Sequence, residues 1–348
     1  MRLFLPPVLI AVFAILSWPN SAIAAASPKP LFASDDVLSL TLSGPLTGMS
    51  RDGAAKPVPG LLTVAGSAPE SLPVMLSVRG ITRRRKDICS FPPLRIEFTA
   101  KPAATSIFRG QKGLKLVTHC QQSERYQQYV LLEYAGYRLY RALTPESFGV
   151  RLAEIDYVNE DGRPLASRLG FFIEDVDDVA RRNGQERLRG ANRISSSQLD
   201  AAAAARFAIF EYMISNLDWA MTAGPAGEDC CHNSRIVGAK GATTELVPVP
   251  YDFDYSGLVN APYAVPPASI RLANVRVRRY RGFCQHNERA QASAADLLAH
   301  RAALLAILDQ TPRLNTESRQ MGASYLGGFF EQIGSPPQVA ELMKSCLQ

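Results

Sequence analysis

The hydrophobic period of this chain changes part-way along it, from two to about three and a half. Apolar and polar residues alternate over residues 37–42, 73–79, 94–98 and 113–117, and again over 148–158 and 169–173. Period-two alternation buries one face of an extended segment and predicts strands. Residues 160–162, Glu-Asp-Gly, turn one of these segments back as a hairpin. Beyond residue 199 the apolar spacing becomes three to four over 199–218, 292–308, 318–333 and 336–343, which predicts helices. One helix is expected among the strands, over 126–143, with Tyr126, Tyr129, Val130, Tyr134, Tyr137 and Tyr140 on its buried side. The fold class expected is α+β. A β-rich N-lobe with one long helix covers residues 37–175, and a mainly helical C-lobe covers 176–348.

Residues 1–26 stand apart. Arg2 is their only charge, an apolar run follows, and small residues close the segment at cleavable spacing, after Ala24 or Ala26. That is the pattern of a secretory signal peptide, and 27–36 is a Pro/Ala linker. The expected location is periplasmic or secreted, with no stable transmembrane segment after cleavage. A formal net charge of +6 is too mild to argue for nucleic acid, and export makes anionic lipids or surface polymers better partners.

The chain has six cysteines, Cys89, Cys120, Cys230, Cys231, Cys284 and Cys346. An even number in an exported chain implies disulfides. Cys89 and Cys120 flank neighbouring expected strands and are read as a pair; Cys284 is expected to bond Cys230 or Cys231. A zinc site from Cys230, Cys231 and His232 is disfavoured, because adjacent cysteines chelate one ion poorly.

The chemistry concentrates in VPYDFDYSG, residues 249–257. It sets Asp252 and Asp254 on one short apolar segment. Upstream lie Asn216-Leu217-Asp218, expected at the end of the 199–218 helix, and His232-Asn233. Carboxylates at the ends of apolar elements, with an Asn, suit Mg²⁺ or Mn²⁺, which take hard oxygen ligands and few protein carboxylates. Two basic runs have two readings each. Arg83–Lys86 is a solvated loop or an anion clamp. The segment 275–281, with Arg276, Arg278, Arg279 and Arg281, is a strand with Val275 and Val277 inward and arginines in water, or a groove for an acidic partner. There is no G-x-S-x-G, and histidine is scarce, so a serine hydrolase is disfavoured.

Several segments occur in a family's order. Val78-Arg79-Gly80 followed by basic residues, Leu94-Arg95-Ile96-Glu97-Phe98, GLKLV, LLEYAGYRLYRAL, GFFIEDVDD, EYMISNLDWA and YDFDYS together resemble the spore-coat CotH-type proteins over residues 76–257. Those are atypical kinases, so the resemblance implies a bilobal protein-kinase-like fold and an ATP-dependent phosphotransferase acting on a hydroxyl-bearing acceptor. By the same resemblance, Lys115 neutralises nucleotide phosphates and is held by Glu133. Glu174 lines a hinge beside the adenine. Asp218 orients or deprotonates the acceptor hydroxyl. Asn233 and Asp252 hold the metal, with Asp254 behind them. Two departures stand out. The lysine expected in the 94–98 strand is Arg95, which leaves Lys115 as its substitute, and residues 223–231 are inserted between Asp218 and Asn233. Two other functions are carried alongside: a non-catalytic module binding an anionic surface polymer or protein, and a metal-dependent phosphoester hydrolase using Asp218, Asp252 and Asp254.

Overall fold

The computed structural model describes residues 26–52, 56–66 and 69–348. The expected leader, Ala26 aside, lies outside the described residues. Seven strands close into a barrel: β1 (Leu38–Gly44), β2 (Val58–Val64), β3 (Glu70–Val78), β4 (Leu94–Phe98), β5 (Gly113–Val117), β6 (Val150–Asn159) and β7 (Pro164–Ile173), in the order β1-β2-β3-β4-β5-β7-β6. The neighbours pair antiparallel except at the seam, where β1 runs parallel to β6 with Leu38 opposite Ala153 and Gly44 opposite Asn159. Leu40, Leu62, Leu76, Ile96, Leu116 and Phe172 fill the interior.

This corrects the expected fold class. The strands form a closed barrel instead of the sheet of a bilobal kinase-like N-lobe. Alternation says which face of a strand is buried and not which strand lies beside it. The pairing that closes the barrel joins β1 to a strand far along the chain.

Helix α1 (Leu46–Asp52) follows β1 within a Gly/Pro/Ser-rich stretch that reads as loop. Helix α2 (Glu124–Arg141) lies on the outer wall of the barrel, against β6 and β7. The second half of β7, residues 169–173, is therefore buried on both faces. Phe172 points inward to Phe108, at 6.0 Å between ring centroids, while Phe171 packs outward on Tyr134 and Tyr137 at 5.7 and 5.6 Å. The far side of α2 meets α6 (Arg301–Asp309) and α7 (Thr316–Gln332). One apolar core runs from the outer barrel wall through α2 into the C-terminal helices.

After β7 come α3 (Val176–Arg182), α4 (Ala201–Ile214) and a three-stranded sheet of β8 (Glu186–Arg187), β9 (Ser234–Gly238) and β10 (Val247–Pro250). Helix α4 stops earlier than its apolar spacing suggests. Ser215 adopts a left-handed conformation (φ 53°), and Asn216 N–H bonds Glu211 O at 2.9 Å, a C-terminal cap that turns the chain out of the helix. Asn216 and Asp218 thus stand on a turn. The segment 292–308 is two helices, α5 (Asn287–Ala299) and α6, broken at His300. Helix α8 (Pro336–Met343) ends the chain.

Cys89 bonds Cys120, and Cys284 bonds Cys346. The expected link from Cys284 to Cys230 or Cys231 is corrected: those two neighbours are bonded to each other. No helix among the described residues is long and apolar enough to cross a membrane.

Candidate functional site

A cleft of about 550 Å³ opens between the barrel and the C-terminal half. The barrel contributes Arg79 and the loop after β3, and Lys115 from β5. The other wall is Asp218 from the turn after α4, Asn233 before β9, Arg235 on β9, and Asp252 after β10. Lys115, Asp218, Asn233, Asp252 and Asp254 are brought to this one cleft. Glu174 and Arg95 are not. Glu174 is buried elsewhere, accepting Gly149 N–H at 2.8 Å and pairing with Arg182 at 3.3 Å. Arg95 bonds Glu97 on the barrel wall at 2.9 Å.

Glu133 lies beneath the cleft, and its partner is Arg83 rather than Lys115. The Arg83 guanidinium, buried, reaches Glu133 Oε2 at 3.1 Å, Asp252 Oδ1 at 3.3 Å and Asp254 Oδ2 at 3.1 Å. Burial pushes the Glu133 and Asp254 carboxyls up, and Arg83 pulls both back down. Burial alone would lower Arg83, but Asp254 and Glu133 outweigh it and hold the guanidinium charged. Carboxylate oxygens of Glu133, Asp252 and Asp254 lie within 4.8 Å of one another. That convergence resembles a metal cage, but Arg83 already bonds all three, so the triad is a cation site filled by the chain itself.

The oxygens free for a metal are one from this triad and one beside it. Asp252 Oδ1 accepts from the Arg83 guanidinium, and Oδ2 accepts no bond from the described residues. Asn233 gives its amide NH₂ to Asp218, to the main-chain O at 2.6 Å and to Oδ2 at 3.1 Å; its carbonyl oxygen accepts none from the described residues. One carboxylate and one amide oxygen, with water and phosphate completing the shell, fit Mg²⁺. Asp252 and Asn233 both hold left-handed backbone, φ 68° and 46°. Such conformations cluster at functional sites, and Asp and Asn bear them best. Tyr137 Oη accepts Asp252 N–H at 2.9 Å and fixes that turn.

Asp218 is held from three sides. His232 Nε2 lies 2.8 Å from Oδ1, Asn233 bonds Oδ2, and Asn216 Oδ1 accepts the Asp218 N–H at 3.1 Å. Arg281 secures the same turn by donating to Leu217 O and Trp219 O at 2.6 and 3.1 Å. The hydrogen bond to Asp218 raises the His232 imidazole above its ordinary range, against the effect of burial.

Lys115 has no carboxylate partner among the described residues. Its Nζ stands 4.9 Å from the centroid of the Tyr251 ring, and the Arg235 guanidinium lies 4.6 Å from the same ring. Burial, then Arg79 and Arg235, bring the ammonium down to about 7, and Asp252 and Asp175 only partly offset them. Three cations that line one cleft with no ion-pair partner among the described residues form an anion site. Arg79, Arg235 and Tyr251 were not singled out from sequence as site residues, and His232 was noted only as the neighbour of Asn233. Their place depends on tertiary closure, and only the Arg79-Gly80 step carried a signal.

The segment 275–281 forms no strand. Arg278 donates to Met213 O and Tyr325 O, Arg276 to Gly257 O, and their guanidiniums stack on Tyr325 at 4.0 and 4.3 Å. With Arg281 spent on the turn after α4, only Arg279 of the four is exposed. Val277 also faces solvent. The larger hollow beside this segment, about 830 Å³, therefore has few free charges.

Compared with protein-family models, curated proteins and solved structures, the chain matches none.

Proposed function

We propose that the cleft transfers a phosphoryl group from a nucleoside triphosphate, ATP in the first instance, to a hydroxyl of an acceptor. The observation that carries this reading is the polarity of one cleft. Lys115 and Arg79 on the barrel side and Arg235 on the other, with no ion pair among the described residues, share the cleft with Asp218, Asn233 and Asp252. Phosphoryl transfer asks the protein for little covalent chemistry; it needs cations on the phosphates and a group that positions the nucleophile. Lys115, Arg79 and Arg235 neutralise the phosphates. Asp218 accepts the proton of the attacking hydroxyl as its oxygen bonds the γ-phosphorus and the bridging P–O bond breaks. His232 and Asn233 keep the Asp218 oxygens aimed. A bound Mg²⁺ or Mn²⁺, held by Asp252 and Asn233, supplies charge neutralisation at the phosphates. The likeness to CotH-type proteins belongs to this proposal; the kinase-like fold does not.

The hydrolase reading loses one of its three carboxylates, since Asp254 is engaged by Arg83 and Tyr263. The polymer-binding reading loses most of the arginine segment to backbone hydrogen bonds. The disulfides suit an oxidising compartment, and a periplasmic or secreted location is part of the proposal. Metal-dependent nucleotide binding that is lost in Asp252→Ala is its test.

A further inference from the structure

Lys115 differs from the other lysines of the described residues. Lys29 pairs with Asp178 at 2.7 Å and Lys344 with Glu341 at 2.5 Å, and Lys56, Lys86, Lys101, Lys112 and Lys240 are exposed. Lys115 is half-buried and lines the cleft, its Nζ against the Tyr251 ring. Carboxylates line the same cleft but are drawn elsewhere. Asp252 and Asp254 pair with Arg83, and Asp218 pairs with His232.

The amine is thus desolvated, without an anion, and beside other cations. Arg79 and Arg235 face it from the barrel side and from β9, and Asp252 and Asp175 oppose them only in part, which brings the ammonium down to about 7. An ordinary lysine keeps about 0.04% of its amine uncharged at pH 7; Lys115 keeps about half of its own. A lysine made neutral by desolvation and a neighbouring cation is a nucleophile for carbonyl carbon. The two guanidiniums are placed to hold an anion next to it. Arg235 spends only Nη1, on Cys231 O and Ser234 O at 2.9 and 3.1 Å, and the rest of its planar fork stays free among the described residues. The cleft, at about 550 Å³, has the size of a small-molecule site.

We propose that Lys115 is a covalent site: its amine forms an imine with a phosphorylated aldehyde whose phosphate rests on Arg79 and Arg235. Nζ bonds the carbonyl carbon, the carbonyl oxygen takes two protons from the nitrogen and leaves as water, and a C=N bond remains. The imine, once protonated, keeps one positive charge beside the phosphate. The reaction is reversible and draws on no oxidant or reductant. It does not depend on phosphoryl transfer, since it uses the same cations without a nucleotide, a metal or an acceptor.

The test is labelling of the oxidised protein at pH 7 with pyridoxal 5′-phosphate. Cyanoborohydride traps the imine and spares disulfides, and peptide mapping reads each lysine. Exposed Lys101 and Lys240 serve as references within the same molecule. Lys115 is expected to be labelled at least about tenfold faster than either, because its neutral fraction is larger. Pyridoxal without the phosphate should lose that preference, and inorganic pyrophosphate should protect Lys115. Arg79→Gln should slow its labelling by about tenfold, the loss of one charged hydrogen-bond donor to the phosphate. Equal rates at Lys115 and the exposed lysines overturn the proposal. A preference that phosphate-free pyridoxal keeps in full also overturns it, because Arg79 and Arg235 would then hold no phosphate.

Discussion

His232 Nε2 meets Asp218 Oδ1 at 2.8 Å, so the insertion at 223–231 brings a histidine back onto the carboxylate it separates from Asn233. The bond raises the His232 imidazole above its ordinary value, a shift with a definite sign for stability. A base whose folded value is raised stabilises fully below its unfolded value and loses that contribution as pH rises through the folded one. The pair should thus favour the fold below about 6.5 and cease to do so above the raised value. In Asp218→Asn the His232 titration, followed by NMR, should move back down. A His232 titration that is the same in both proteins would remove the pair from the account.

Lys115 has the opposite sign. Its ammonium is brought down to about 7, so between there and the ordinary lysine range the unfolded chain binds the extra proton, and stability rises with pH. A phosphate in the cleft favours the charged form. Affinity for a nucleotide or for pyrophosphate should therefore fall as pH rises through about 7, with proton uptake above it. Calorimetry in buffers of different ionisation enthalpy reads that uptake, and Lys115→Met should abolish it.

Among the described residues, Arg83 is the cation that pairs with all three carboxylates of the triad. Arg83→Met keeps much of the volume and leaves three carboxylates without a cation; breaking a buried pair this way costs about 3–5 kcal/mol. The urea midpoint at neutral pH should fall accordingly. The loss should be smaller in mild acid, where Glu133 and Asp254, both raised, take up protons. An unchanged midpoint would mean that the triad does not depend on Arg83.

Gly257 follows the site segment where its backbone meets the 275–281 loop. A Cβ there would come within 2.4 Å of Tyr325 Oη and 2.6 Å of Val275 O. Gly257→Ala should destabilise by about 1–3 kcal/mol, measurable by denaturant unfolding. It should also loosen the bond from Gly257 N–H to Ser215 O.

Local pattern carried much of this fold. Residues 94–98, 113–117 and 336–343 are elements at the bounds that periodicity suggests, and Cys89–Cys120 follows from two cysteines beside neighbouring strands. The closure of the barrel was not legible, because it rests on one pairing of β1 with β6. The site was legible as residue types: Lys115, Asp218, Asn233 and Asp252 share a cleft. The roles of the charges were less so. Arg83 looked like part of a solvated or anion-binding run and is the buried centre of three carboxylates. Charge patterns along a chain do not say which cation turns inward, and here tertiary packing decides it.

The central claim is that one cleft binds a nucleotide with a metal, and thermal-shift titration with ATP and Mg²⁺ or Mn²⁺ tests it most directly. A ligand binding only the folded state adds ~2.7 kcal/mol at a hundredfold excess over its dissociation constant. The account predicts a metal-dependent rise in the transition of the oxidised protein that disappears in Asp252→Ala and shrinks in Lys115→Met. A transition that ATP and metal leave unmoved, or one that moves equally in Asp252→Ala, would contradict it.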